Sequence, residues 1–102
     1  MSWNDAEDYC RGEGAHLVSV HSAKENEFVR SLDSGYLWLG GTDEDTEGIW
    51  RWTDGSAFSF KNWKRGEPNN HGNEHCVHTD IGDNQQWNDN QCTDKLKFVC
   101  KG

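Results

Sequence analysis

From Lys64 to Gln86 the chain runs for 23 residues in which only Cys76, Val77 and Ile81 are hydrophobic. Holding each backbone residue in one conformation costs roughly 1–2 kcal/mol, and three apolar side chains cannot offset that across the whole stretch. A polar run of this length inside a small domain is either functional or disordered. If it is ordered, something other than a core has to order it. The run includes KRGEPNNHGNEHC, which holds Pro68, the only proline of the sequence. Any fold open to this chain must carry a long polar excursion on a small frame.

The frame is one domain, 1–102, because 102 residues bury a single, modest core. Hydrophobic residues make up only 32%, but six tryptophans and four phenylalanines each bring a large apolar area. Four cysteines, Cys10, Cys76, Cys92 and Cys100, allow three pairings. No CxxC pair is present, which sets aside a zinc ribbon or thioredoxin-type motif. An even count in a core-poor chain favours two disulfides and an oxidising, extracellular compartment, with free thiols as the alternative. The net charge of −8 argues against nucleic acid or an anionic membrane as partner. No signal-peptide or membrane-spanning pattern appears, so the chain reads as a mature fragment without membrane insertion.

Ser2 is placed to cap a helix carrying Trp3, Ala6, Tyr9 and Cys10 on one face, ended by Gly12 and Gly14. Ser22 and Glu25 form a capping-box pattern before a second helix with Phe28, Val29 and Leu32 as its apolar stripe. Short strands follow in YLWLG (36–40) and IWRW (49–52), separated by the acidic loop TDEDTEG and followed by an Asp54–Gly55 turn. Two more lie around QQWN and LKFVCK, the last with Leu96, Phe98 and Cys100 on one face. Helices first and short antiparallel strands after them predict an α+β domain. Trp38, Trp50, Trp52 and Trp63 are read as core rather than as an exposed stacking platform, and Trp87 as packing beneath the loop.

In and just after the polar run stand Glu67, Asn69, Glu74, Asn88 and Asp89. All five offer oxygen and none offers sulfur. Hard oxygen donors in an irregular loop suit calcium, which takes six to eight of them in flexible geometry, better than magnesium, which demands a strict octahedron. A bound cation would relieve the repulsion among three carboxylates and couple ion uptake to ordering of the loop. The alternative is a plain solvated loop, since Asn, Asp and Gly are ordinary loop residues. No EF-hand run is present. His71, His75 and His78 offer nitrogens for zinc, but Pro68 and Gly72 argue against a helix that would align them.

In order along the chain, SWNDAEDYC, GAHLVSVHSAKENEFV, WLGG, EPN, GNEHCV, WND and FVC resemble the C-type lectin-like domain over almost its full length. EPN alone is a weak signal; the ordered set is specific. The resemblance implies an α+β C-type lectin fold: two helices, short antiparallel sheets and a long calcium-binding loop. It implies disulfides Cys10–Cys100 and Cys76–Cys92. It also implies a principal calcium ion on Glu67, Asn69, Glu74, Asn88 and Asp89, with sugar contacts from Glu67, Asn69, Glu74, Asn88 and His71. A cis Glu67–Pro68 bond is implied as well. The order Glu-Pro-Asn resembles members that prefer mannose-class sugars (mannose, fucose, N-acetylglucosamine), and microbial or host cell-surface glycans are the implied partners, bound through several copies where avidity is needed.

The chain departs from that pattern in two places. Asp43, Glu47, Asn70 and Glu74 match an auxiliary calcium site, yet His75 stands where an aspartate commonly completes it. The resemblance also implies a strand before the first helix, whereas this sequence starts directly at that helix. Either the segment was cut away or the form is a shortened one; the edge beside LKFVCK would then be open to pairing. Two rival functions draw on the same residues. A paired-carboxylate glycosidase on Glu67 and Glu74 fails if both hold calcium, since neither could then act as a proton donor. A lectin-like domain that binds protein, lipid or ice is the other, though such members often lack the full ligand set.

Overall fold

The computed structural model describes residues 1–32, 35–44, 46, 48–63, 75–79 and 86–102. The first helix, α1 (Trp3–Gly12), starts where Ser2 predicts: the Ser2 hydroxyl accepts from Asp5 N–H at 3.3 Å. The second, α2 (Ala23–Leu32), starts with the expected box. Glu25 N–H donates to Ser22 Oγ at 3.0 Å, and the Glu25 carboxylate accepts from His21 N–H at 2.7 Å.

Among the described residues, seven short strands make two sheets. The small one pairs β1 (His16–Leu17) antiparallel with β7 (Cys100–Lys101). The large one runs in the order β3 (Arg51–Trp52), β2 (Leu37–Thr42), β4 (Cys76–Thr79), β5 (Trp87–Asn90). A further strand, β6 (Lys97–Phe98), pairs parallel with β2, with Leu37 opposite Lys97. The expected final strand is therefore two pieces in different sheets, and one of its pairings is parallel. Another departure is β4, which lies inside the polar run and is buried at all four positions.

The sheets meet where Gly40 N–H donates to Val18 C=O at 2.8 Å and Gly40 C=O accepts from Thr53 N–H at 3.0 Å. A Cβ at Gly40 would stand 2.5 Å from the Leu17 carbonyl oxygen, so no other residue fits this crossing without moving backbone. One core cluster gathers Val18, Val20, Val29, Leu37, Leu39, Trp52, Val77 and Trp87; another gathers Trp3, Ala6, Cys10, Leu17, Trp38 and Cys76. Trp50 and Trp63 are partly buried against the first, so the tryptophans lie in the core or against it. Cys10 is bonded to Cys100 and Cys76 to Cys92.

The apolar stripe of α2 does not behave as expected. Val29 is buried, but Phe28 is 64% and Leu32 52% exposed. Asn26 takes the inward position instead, because its side-chain oxygen accepts from the buried Trp87 indole N–H at 2.8 Å.

Polar clamps replace the core that composition denies. Glu7, buried on α1, accepts from Leu17 N–H at 2.9 Å, Thr53 Oγ at 3.0 Å, Arg11 Nε at 2.7 Å and the His16 ring at 2.7 Å. Burial alone would raise its carboxyl; the hydrogen bonds, led by Leu17 N–H, outweigh that and hold it below its ordinary value. Glu25 is lowered in the same way, with Lys101 at 2.8 Å the main opponent of burial. So is Asp54, through Ser19 at 2.6 Å and then Ser56. A carboxyl depressed by folding contributes stability above its unfolded value and loses it as pH falls through the folded one. Thermal midpoints are therefore expected to be insensitive to these groups from pH 7 to about 5 and to fall below about pH 4. Scanning calorimetry of the parent and Glu7→Gln checks this: the variant is expected to show a shallower acid slope, and an equal slope would refute the assignment.

Candidate calcium and carbohydrate site

Two of the five expected ligands, Asn88 and Asp89, lie among the described residues, side by side on β5. Glu67, Asn69 and Glu74 lie outside them, as do Pro68, Glu47, Asn70 and His71. The strand that carries the pair is pinned on several sides. Trp87, the first residue of the strand, is fully buried and is held by Asn26 through its indole and by Asn62 C=O through its backbone N–H at 2.8 Å. Trp52, Phe58, Phe60 and Trp63 surround the Trp87 ring, with centroids 5.6 to 6.0 Å away. Along its length β5 pairs antiparallel with β4, Asn88 opposite His78 and Asp89 opposite Val77.

Alternation along the strand puts Trp87 and Asp89 on the more buried face and Asn88 on the other. Asp89 is fully buried. The Asn88 side-chain oxygen is shielded from solvent and has no hydrogen-bond partner among the described residues. A buried acceptor left unmade costs about 1–3 kcal/mol. Hard oxygens withdrawn from water on adjacent residues, one of them an amide oxygen awaiting a partner, fit an oxygen-seeking cation such as calcium. Asn26 is the supporting residue that sequence reasoning missed; its signal was a polar residue three positions before Val29 on the inward side of α2.

The other expected ligands sort differently. Asp43 is buried just after β2, with one oxygen accepting from the His75 ring at 2.8 Å and the other from Gly48 N–H at 2.9 Å. His78 is buried between Tyr36 and Trp38, its ring nitrogens 2.6 Å from Thr79 C=O and 3.4 Å from the Asn90 amide nitrogen. These two histidines thus engage separate partners. Among the described residues, Glu44, Cys76 and Cys92 bring three ligand-type atoms within 4.8 Å of one another. Both sulfurs are in the disulfide, so they offer no thiolate. A cavity of about 580 Å³ opens between α1 and the β2–β3 hairpin, lined by Trp3, Arg11, Trp50, Trp52 and Phe58 among others. Neither Asn88 nor Asp89 lines it.

The family model for the lectin C-type domain matches residues 1–102. The chain is a member of the C-type lectin domain family. Lectoxin-Lio1, a C-type lectin from Erythrolamprus poecilogyrus, is 43% identical over 108 residues, covering 97% of this chain and 66% of the relative. The chain therefore spans just under two-thirds of that protein. The galactose-specific lectin nattectin from Thalassophryne nattereri is 37% identical over 107 residues, 98% of this chain and 67% of the relative. Among solved structures, the cow carbohydrate-recognition domain of CD23, determined with a GlcNAc2Man3 oligosaccharide, superposes with a TM-score of 0.90 at 34% identity, covering 98% of this chain and 78% of that one. A calcium-independent type II antifreeze protein superposes with a TM-score of 0.93 at 30% identity, covering 98% and 77%.

The fold is thus the C-type lectin fold, in the α+β class. C-type lectin domains generally bind calcium, and both curated relatives named above are lectins, which are not enzymes. No helix among the described residues of this lectin domain is long and apolar enough to cross a membrane.

Proposed function

We propose that this C-type lectin domain binds carbohydrate of the mannose class through one principal calcium ion held by Glu67, Asn69, Glu74, Asn88 and Asp89. The observation that carries the proposal is the solvent-shielded side-chain oxygen of Asn88, without a partner among the described residues, beside the buried residue Asp89. When bound, the ion would supply open coordination positions that two neighbouring sugar hydroxyls can fill. The carboxylates of Glu67 and Glu74 accept hydrogen bonds from those hydroxyls, and the amides of Asn69 and Asn88 donate to them. His71 would lie against the apolar face of the sugar. A single site of this kind is weak towards a monosaccharide, so a glycan-bearing cell surface or several copies would be needed for tight binding. Two disulfides support placement outside the cell, as a secreted protein or an ectodomain.

Family membership does not choose the sugar, since one relative is described as galactose-specific. The choice rests on the order Glu67-Pro68-Asn69, in which the acid precedes the amide. A glycan array probed with and without calcium tests it: retention on mannose, fucose and N-acetylglucosamine and its loss in EDTA are expected. Exchanging acid and amide, Glu67→Gln with Asn69→Asp, is expected to move preference towards galactose by tenfold or more, on the order of the 1.4 kcal/mol of one well-placed hydrogen bond. Unchanged preference would defeat the assignment.

The likeness to a calcium-independent antifreeze protein favours a second reading, binding of an ice surface or another non-sugar partner such as a protein or lipid. Thermal hysteresis that persists in EDTA, with no glycan retained, would establish the ice form of that reading instead.

A further inference from the structure

The auxiliary calcium position needs Asp43 to turn an oxygen towards a cation, and the structure gives that oxygen another task. Asp43 is only 2% exposed. Its Oδ1 lies 2.8 Å from His75 Nδ1 and its Oδ2 accepts from Gly48 N–H at 2.9 Å. An ionised carboxylate can only accept, so Nδ1 carries the proton and points it at Oδ1. The two residues are also tied through the backbone: His75 C=O accepts from Asp43 N–H at 3.2 Å and from Thr42 Oγ at 2.8 Å. The knot sits where the β2–β4 ladder ends, with Thr42 opposite Cys76 and the Cys76–Cys92 bond alongside.

Calcium requires six or more oxygens aimed at it. Here a ring N–H donor stands against Asp43, where the resemblance expects a second carboxylate. Asp43 therefore does not fit an ion at this position. The geometry points to an Asp43–His75 hydrogen-bonded pair that takes the place of an auxiliary calcium ion. The pair closes that position and anchors the chain next to Glu74 without metal, so the domain takes up one calcium ion rather than two. This rests on the principal-site reading only for the count of one.

Calorimetric titration of the disulfide-intact chain with calcium chloride decides it. The parent is expected to bind one ion. His75→Asp, which exchanges the donor for a carboxylate, is expected to bind one more than the parent. Asp43→Asn is expected to leave the parent stoichiometry unchanged. Uptake of two ions by the parent, no gain in His75→Asp, or loss of an ion in Asp43→Asn would each overturn the inference. If His75→Asp does not fold by circular dichroism, the parent count and the Asp43→Asn comparison still decide. A parent that binds no ion defeats the principal-site reading alone; the gain of one ion in His75→Asp would then still support the closed position.

Discussion

Replacing Cys10 and Cys100 together by alanine is expected to lower the stability of this domain by about 4–5 kcal/mol. The bond joins residues 90 apart in sequence, nearly the full length of the chain, and so restricts the unfolded ensemble more than the 16-residue Cys76–Cys92 link, for which about 3 kcal/mol is expected. Without it, α1 is tied to the small sheet chiefly by Glu7 and by packing of Trp3, Ala6 and Leu17. Cys10 is fully buried, so alanine also leaves a small gap in that cluster. A domain of this size has only about 5–15 kcal/mol in hand, and each kcal/mol moves the midpoint by roughly 4–8 °C. The double variant is therefore expected to melt about 20 °C or more below the parent. Urea unfolding of the two proteins measures the difference, and a loss under about 1 kcal/mol would show that the Glu7 clamp holds the helix unaided.

The starts of both helices were legible because capping is local: Ser2, Ser22 and Glu25 act on backbone within four residues of themselves. The inward face of α2 was not. Its hydrophobic stripe names Phe28, Val29 and Leu32 equally, and only the distant Trp87 indole, 61 residues on, makes Asn26 the residue that turns inward. Strand β4 was hidden for a related reason. His78 and Thr79 read as polar, yet both are buried because partners exist for them: Thr79 Oγ accepts from Leu37 N–H at 3.0 Å, and the His78 ring meets Thr79 C=O and Asn90. No local pattern announces such partners. The parallel pairing of β6 with β2 joins segments about 60 residues apart and escapes a reading by alternation in the same way.

At the site, donor chemistry was legible and assignment of donors was not. The oxygen types at Asn88, Asp89 and Asp43 all read as ligands from the sequence. The structure separates them, leaving the Asn88 oxygen without a described partner and giving both Asp43 oxygens one. Gly48 N–H takes one Asp43 oxygen, and His75 takes the other by bringing a donor to a place where the family resemblance expects an acceptor.

The orphaned Asn88 oxygen leads to an expectation of opposite signs for stability and function. In calcium-free buffer it is a buried acceptor without a described partner, which costs about 1–3 kcal/mol. Asn88→Leu removes that cost with a side chain of similar reach, so in EDTA the variant is expected to be as stable as the parent or more stable by about 1 kcal/mol. With calcium the order reverses. The variant lacks one ligand of the proposed ion and one donor to the sugar. Loss of supporting partners around a metal already costs about 10–100-fold in affinity, so loss of a ligand is expected to cost about 100-fold or more. Melting curves with and without calcium, together with retention on mannose resin, read both signs in one series. A variant less stable than the parent in EDTA would mean that Asn88 serves packing, and calcium-dependent retention that survived the substitution would remove Asn88 from the ion.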